Sequence, residues 1–248
     1  MSQTVVLITG ASRGIGSVLV AKYLARPHTT VVATVRDLSS ENASRLRSMK
    51  CRLGSKLIVL PLDFNIPSAA ADAILMLKEK YDIQRLDIVI SNAGICNTWA
   101  RVEDVTDSDA MAHLEVNTLG LLRLYRAVVP LLNETDMPKL VYITSELASM
   151  GRLGQSSSLT ASYGMSKAAG NYLIEKINSE NDKLVAFSIS PGFVQTDMGN
   201  KGARYYGLQC ATMTVEESTE AIITQIDAAP RATTFGGFLN YNGTSIPW

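Results

Sequence analysis

The sequence predicts an α/β chain in which helices flank a doubly wound parallel β-sheet, in a single domain over residues 1–248. Three observations lead there. Short Val/Ile/Leu-rich runs recur without strict polar alternation, as in parallel strands buried on both faces. Longer stretches with helical periodicity separate them. Glycine and polar residues gather just after the apolar runs, and ligands of such sheets bind beyond the carboxyl ends of strands.

The strand candidates are 5–9, 30–35, 56–60, 86–90, 139–144 and 184–189, with a short last one at 237–239. Helix candidates lie near 14–25, 39–52, 67–81, 107–133, 161–180 and 214–228. No linker, internal repeat or shift in composition marks a second domain. Lys and Arg number 23, Asp and Glu 23, so no basic excess argues for nucleic acid or an anionic membrane. Three cysteines without close spacing and only two histidines argue against a disulfide framework and against a metal site. No stretch is long and apolar enough to span a bilayer, and the N-terminus has no signal-peptide pattern. The expectation is a soluble, cytoplasmic protein with reduced thiols.

The first turn reads Thr9-Gly10-Ala11-Ser12-Arg13-Gly14-Ile15-Gly16, between a strand pattern and a helix pattern. Glycines permit a tight turn and close backbone approach to a pyrophosphate. The helix N-terminus offers free N–H groups and a positive dipole end. The second strand ends Val35-Arg36-Asp37. A guanidinium there pairs with the 2′-phosphate of NADP(H), whereas an acid accepts from the ribose of NAD. Arg36 comes first, and Arg13 lies in the glycine turn, so two arginines converging on one phosphate argue for NADP(H). A strand one residue longer would give the place to Asp37 and reverse the choice. Asp63 either accepts from the adenine amino group or caps the next turn. Asn92-Ala93-Gly94 brings a glycine and an amide to the end of the fourth strand.

Tyr163 and Lys167 are four apart, about 40° apart around a helix, and so share a face. A positive charge beside a phenol favours phenolate, which suits a general acid/base. Among nine tyrosines, Tyr172 with Lys176 repeats the spacing. Ser145 breaks the tie. It ends the fifth strand at the carboxyl edge, where the first tyrosine of the helix also lies. Tyr172 sits more than about ten ångström further along and roughly half a turn out of phase, which assigns it to packing or an interface. Asn117 is an amide in mid-helix, where amides are disfavoured.

Over essentially its full length the chain resembles the short-chain dehydrogenase/reductase family, with its Rossmann-type fold. The resemblance is carried by Thr9–Gly16, Asp63, Asn92–Gly94, Asn117, Ser145, Tyr163 with Lys167, and Pro191-Gly192 leading to Thr196, in the family's order. It implies a catalytic tetrad of Asn117, Ser145, Tyr163 and Lys167. Tyr163 would protonate a carbonyl oxygen as hydride arrives from the nicotinamide. Ser145 would hold that oxygen. Lys167 would bind the nicotinamide ribose and lower the pKa of Tyr163. The Asn117 backbone would hold a water linking Lys167 to solvent. Pro191 and Gly192 would border the cofactor, and Val194 and Thr196 would orient the carboxamide. Within the family, Val35-Arg36-Asp37 is similar to NADP-preferring carbonyl reductases. The C-terminus resembles sepiapterin reductase-like and fungal norsolorinic acid ketoreductase-like groups, the latter acting on an aryl ketone. The usual Asn-Asn-Ala-Gly is Ser91-Asn92-Ala93-Gly94 here, the usual Ser-Ser is Thr144-Ser145, and the Ser145-to-Tyr163 interval is long.

The extra length falls in 150–160, expected to be a loop over the substrate mouth. Residues 197–212 are expected to form a lid. Its Met198, Tyr205 and Tyr206, with Trp99 and Met150, would line an aromatic pocket or simply pack. The implied partner is a small-molecule carbonyl compound, reduced with NADPH. Helices 107–133 and 161–180 carry wide apolar faces, and the resemblance implies that they pair in a homodimer or homotetramer.

Overall fold

The computed structural model describes residues 3–155, 158–229 and 237–248. Seven strands form one parallel sheet in the order β3-β2-β1-β4-β5-β6-β7. They are β1 (Thr4–Ile8), β2 (Thr29–Val35), β3 (Lys56–Pro61), β4 (Ile88–Ser91), β5 (Lys139–Ile143), β6 (Val185–Ser190) and β7 (Phe238–Asn240). All seven residues of β2 are buried, and so are all six of β6, which is why neither run alternates with polar residues.

Alternate residues of each strand feed two cores. Val5 and Leu7 point into the layer that holds α3 (Ala69–Tyr81), α5 (Gly120–Leu132) and α6 (Ala161–Ser179). Val6 and Ile8 point into the layer of α1 (Gly14–Leu24), α2 (Glu41–Arg47) and α8 (Val215–Ala228). The helices therefore cover both faces. The order in which strands are added reverses between β1 and β4: β2 and β3 lie on one side, β4 to β7 on the other. That switch point opens a crevice at the carboxyl ends of the two strands.

Two elements depart from expectation. The helix foreseen over 107–133 is interrupted. It runs as α4 (Asp107–Leu114), a π-helical turn (Glu115–Leu119) and α5. The π turn contains Asn117, and such turns free backbone carbonyls for other partners. The expected lid at 197–212 begins with a helix, α7 (Asp197–Tyr205), capped by Thr196, whose Oγ1 accepts from Gly199 N. The 150–160 segment holds a 3-10 stretch at Met150–Gln155, and residues 156 and 157 lie outside the described residues. Thr214 and Glu217 form a reciprocal capping box that starts α8.

Candidate active site

The turn between β1 and α1 needs its glycines. Gly10 and Gly14 have φ of 64° and 54°. A Cβ on Gly10 would lie 2.8 Å from Ala93 Cα, and one on Gly16 would lie 2.6 Å from Asn92 Nδ2 and closer still to Gly10 O. Arg13 takes the N-cap position of α1 in extended conformation, with no side-chain cap. The first N–H groups of α1 are therefore left to face the cleft.

A second clamp sits at the end of β4. Thr9 Oγ1 accepts from both Asn92 N and Ala93 N, each at 3.0 Å. Asn92 Nδ2 donates to Thr9 O at 2.8 Å and Gly10 O at 3.2 Å. The Asn92 amide, foreseen at the cofactor, is thus spent on holding the glycine turn. Asn117 does the same one layer back. Its Oδ1 accepts from Ile95 N at 2.8 Å, and its Nδ2 donates to Ile95 O and Ser166 Oγ, both at 2.9 Å. Its backbone oxygen accepts from Tyr142 Oη at 2.9 Å.

One cleft of about 550 Å³ gathers the rest. Of the residues singled out as site residues in the sequence, Gly16 and Asn117 stand behind its wall and the others line it. At its inner end Ser145 and Tyr163 line the cleft together, the Ser145 hydroxyl close enough to favour the phenolate of Tyr163. Ser145 Oγ also accepts from Leu147 N at 3.2 Å, starting a 3-10 turn at Glu146–Ala148. Lys167 is buried, donates to Ile143 O at 2.7 Å, and has its Nζ 5.9 Å from the centre of the Tyr163 ring. Burial pushes the Lys167 ammonium down to about 7. The expected lowering of the Tyr163 phenol is reversed: burial raises it, nearby Cys96 adds to the rise, and only the neighbouring Ser145 hydroxyl opposes. Desolvation outweighs a lysine at this distance. Tyr172 is 70% exposed on α6, away from the cleft.

At the outer end β2 stops at Val35, so Arg36 is the first residue beyond it and lines the cleft. Asp37 does not line it. Its carboxylate accepts from Ser39 N at 2.8 Å and Ser39 Oγ at 2.6 Å. Arg13 lines the same cleft and carries an acidic partner. Its Nη1 meets Asp197 Oδ2 at 2.7 Å, bridging the glycine turn to the start of α7. Asp63 accepts from Asn65 N and Nδ2 at 3.0 and 2.8 Å while lining the cleft, so the turn-capping reading holds and the cleft position is kept as well. Gly192, with φ of 84°, lets the chain pass under Met213 and Tyr241. Val194 bridges to Met213, and Thr196 Cγ2 would lie 3.1 Å from a Cβ on Gly14.

The mouth is aromatic. Trp99, Phe193, Met198 and Tyr206 line it. Tyr205 stacks on Trp99 at 6.0 Å and meets Tyr206 edge-on at 5.4 Å. Tyr206 Oη accepts from Leu159 N at 2.9 Å, which ties α7 to the 150–160 segment. Met150 is 68% exposed and outside the lining, so it does not join the pocket as expected. Sequence reasoning missed Tyr142, Cys96 and Phe193. Tyr142 and Phe193 read as ordinary packing residues, and Cys96 carried no spacing signal.

The residues fit a nicotinamide dinucleotide: a glycine cradle that any Cβ would fill, an open helix N-terminus, and a cation at the end of β2. Among the described residues no cluster of metal-ligating side chains is present, and no helix is long and apolar enough to cross a membrane.

The chain is similar to known proteins over nearly its whole length. The chain is 36% identical to norsolorinic acid ketoreductase of Dothistroma septosporum over 250 residues, covering 99% of this chain and 93% of that protein. The Aspergillus parasiticus norsolorinic acid ketoreductase is also 36% identical, with 99% and 92% covered. The crystal structure of NADPH-bound carbonyl reductase from chicken fatty liver superposes with a TM-score of 0.84 at 26% identity, over the whole of both chains. The family model for short chain dehydrogenase matches residues 4–205. With the glycine turn, the Ser145–Tyr163 pair and Lys167 in one cleft, the chain belongs to the short-chain dehydrogenase/reductase family of oxidoreductases.

Proposed function

We propose that the protein is an NADPH-dependent ketoreductase that turns an aromatic or polycyclic ketone into a secondary alcohol. The observation that carries this reading is that Ser145, Tyr163 and the buried Lys167 line one end of the glycine-cradled cleft. The ketoreductase and carbonyl reductase names of the relatives support it.

Bound NADPH supplies the hydride. The chain supplies the proton and the geometry. Tyr163 keeps its proton at neutral pH because burial disfavours phenolate. It is therefore ready to protonate the carbonyl oxygen as the carbon is reduced. Ser145 Oγ donates to the same oxygen and fixes the carbonyl between the two hydroxyls. Lys167 sits behind Tyr163 and binds the ribose side of the nucleotide, on the route by which the tyrosine recovers its proton. Gly10 to Gly16 and the α1 N-terminus hold the pyrophosphate. Pro191 to Thr196 border the nicotinamide. Asn92 and Asn117 are positioning residues, since their amides are spent on backbone.

Arg36 favours NADPH, because it lines the cleft while Asp37 is turned to Ser39. The same observation weighs against an NAD-dependent alcohol dehydrogenase acting through Asp37. The aromatic mouth at Trp99, Phe193 and Tyr206 favours a flat substrate. Exposed apolar side chains at Met111, Met165 and Tyr172 support pairing of α4 and α6 in a homodimer or homotetramer. The free thiols of Cys51, Cys96 and Cys210 agree with a cytoplasmic location.

The test is reduced-nicotinamide consumption against aryl ketones, α-diketones and quinones, with NADPH and NADH in parallel. Turnover on an aromatic class with NADPH supports the proposal. Tight NADPH binding with no turnover on any ketone refutes it in favour of a nucleotide-binding regulatory protein.

A further inference from the structure

We infer that Tyr142 is a positioning residue for Lys167: its ring face keeps the buried ammonium charged, and its hydroxyl fixes the π-helical turn behind the site. Tyr142 is fully buried in β5, in an otherwise aliphatic stretch of strand. Lys167 Nζ stands 4.5 Å from the centre of its ring and donates to the carbonyl of the next residue, Ile143. The ammonium is thus held against one strand by a ring face and a carbonyl. Tyr142 Oη donates to Asn117 O at 2.9 Å, one of the carbonyls within the π turn. The ring has room only because α6 carries a glycine one turn beyond Lys167. A Cβ on Gly170 would lie 2.5 Å from Tyr142 Cε1 and Oη.

The titratable groups that face Lys167 are Cys96 after β4, Tyr142 on β5 and Tyr163 on its own helix. No carboxylate pairs with it among the described residues. Burial drives Lys167 down to about 7 and drives the Cys96 thiol up to about 11. Cys96 raises Lys167, but burial outweighs it, and a thiol held at about 11 carries little charge at pH 7. Beside the Ile143 carbonyl, the negative face of the Tyr142 ring is what holds the ammonium in its charged form. A desolvated cation over an aromatic face is favoured by about one pKa unit or more. Lys167 loses its charge as pH rises, so weakening the ring must move that loss to lower pH.

The kinetic arm rests on the proposed reductase reading; the spectroscopic arm does not. The protein is labelled with ¹³C at the lysine Cε, and Lys167 is assigned by the signal lost in Lys167→Met. Its titration is followed by NMR without nucleotide in wild type, Tyr142→Phe and Tyr142→Leu. The Phe protein is also made with a ring-trifluorinated phenylalanine at position 142, which removes the negative ring face at nearly constant shape. The expected midpoint is unchanged in Tyr142→Phe. It falls by about one pH unit in Tyr142→Leu and moves in the same direction in the fluorinated protein. The alkaline limb of kcat/KM follows the same order. Equal midpoints in the Phe and fluorinated proteins overturn the ring's role, even if the Leu variant does not fold. A fall in Tyr142→Phe as large as in Tyr142→Leu overturns it too, and assigns the effect to the Asn117 contact. If no ketone is turned over, the reductase reading fails while the NMR result still decides this one.

Discussion

Removing the guanidinium at the end of β2 separates two cofactors that differ by one phosphate. Arg36 is exposed, lines the cleft, and has no acidic partner among the described residues. A charge-assisted hydrogen bond from arginine to the 2′-phosphate contributes about 1.5–3 kcal/mol. Solvent screening at an exposed position places the effect near the lower end. Arg36→Ala should therefore weaken NADPH binding about tenfold and leave NADH binding within about twofold. Arg13 adds a second arm. Its pairing with Asp197 spans an exposed gap, with the two side chains 62% and 76% accessible. Exposed pairs are weak, so Asp197→Asn should free Arg13 at little cost and tighten NADPH by at most about fivefold. The assay is quenching of protein fluorescence by each nucleotide, at two salt concentrations. The NADPH-specific loss should shrink at high salt. Equal losses for NADPH and NADH in Arg36→Ala, or none for NADPH, would refute the assignment of Arg36 to the 2′-phosphate.

Three further outcomes follow from the same geometry. Tyr163→Phe should lower kcat by about 10²–10⁴-fold, the range of one general acid, with NADPH binding unchanged by fluorescence; full activity would remove Tyr163 from the chemistry. Gly16→Ala should abolish nucleotide binding and lower the melting temperature, since its Cβ would meet Gly10 O and Asn92 Nδ2; calorimetry with and without NADPH reads both effects, and a ligand-induced stabilisation equal to wild type would contradict them. Trp99→Ala should raise KM for a flat aromatic ketone about tenfold with little change in kcat, because it removes apolar area at the mouth and not a group at the Ser145 end; a loss confined to kcat would place Trp99 elsewhere in the reaction.

Much of the frame was legible because it rests on local pattern. Runs such as 30–35 and 184–189 are apolar throughout since helices cover both faces of the sheet. The glycine turn was legible because three glycines in seven residues have a steric reason, and each proves crowded or left-handed. The choice between Arg36 and Asp37 turns on one residue of strand length, which pattern does not resolve; β2 ends at Val35 and Arg36 lines the cleft. The π turn was hidden because one inserted residue leaves the apolar face of 107–133 intact on either side. The helix α7 was hidden because it buries only Gly202 and Ala203, which leave no apolar stripe to read, while Met198 and Tyr205 are exposed among its charged residues. Arg13 with Asp197 joins positions far apart in sequence, and no local signal predicts such a pair.

The polar groups whose hydrogen bonds are spent on backbone explain why those that face the cleft are well placed. Thr9 and Asn92 join the glycine turn to the end of β4. Asn117 joins the chain after β4 to the π turn and, through Ser166 Oγ, to α6. Thr118 Oγ1 donates to Ser166 O at 2.8 Å, and Ser166 Oγ to Tyr163 O at 2.8 Å. The network ends on the backbone of Tyr163, one turn before Lys167. Buried groups of this kind stabilise only when satisfied, and each bond is stronger for being out of water. A hydrophobic replacement at Asn117 would strand Ile95 N and O, so the cost falls on the loop carrying Gly94 and Cys96. Tyr142 belongs to the same network through Asn117 O, which brings β5 into it. The glycine turn, the chain after β4, the π turn, β5 and α6 are thereby held in register around a hydroxyl pair. Loosening any one of them moves Tyr163 relative to Ser145, and displacement of about 1 Å is enough to cost a large part of the rate.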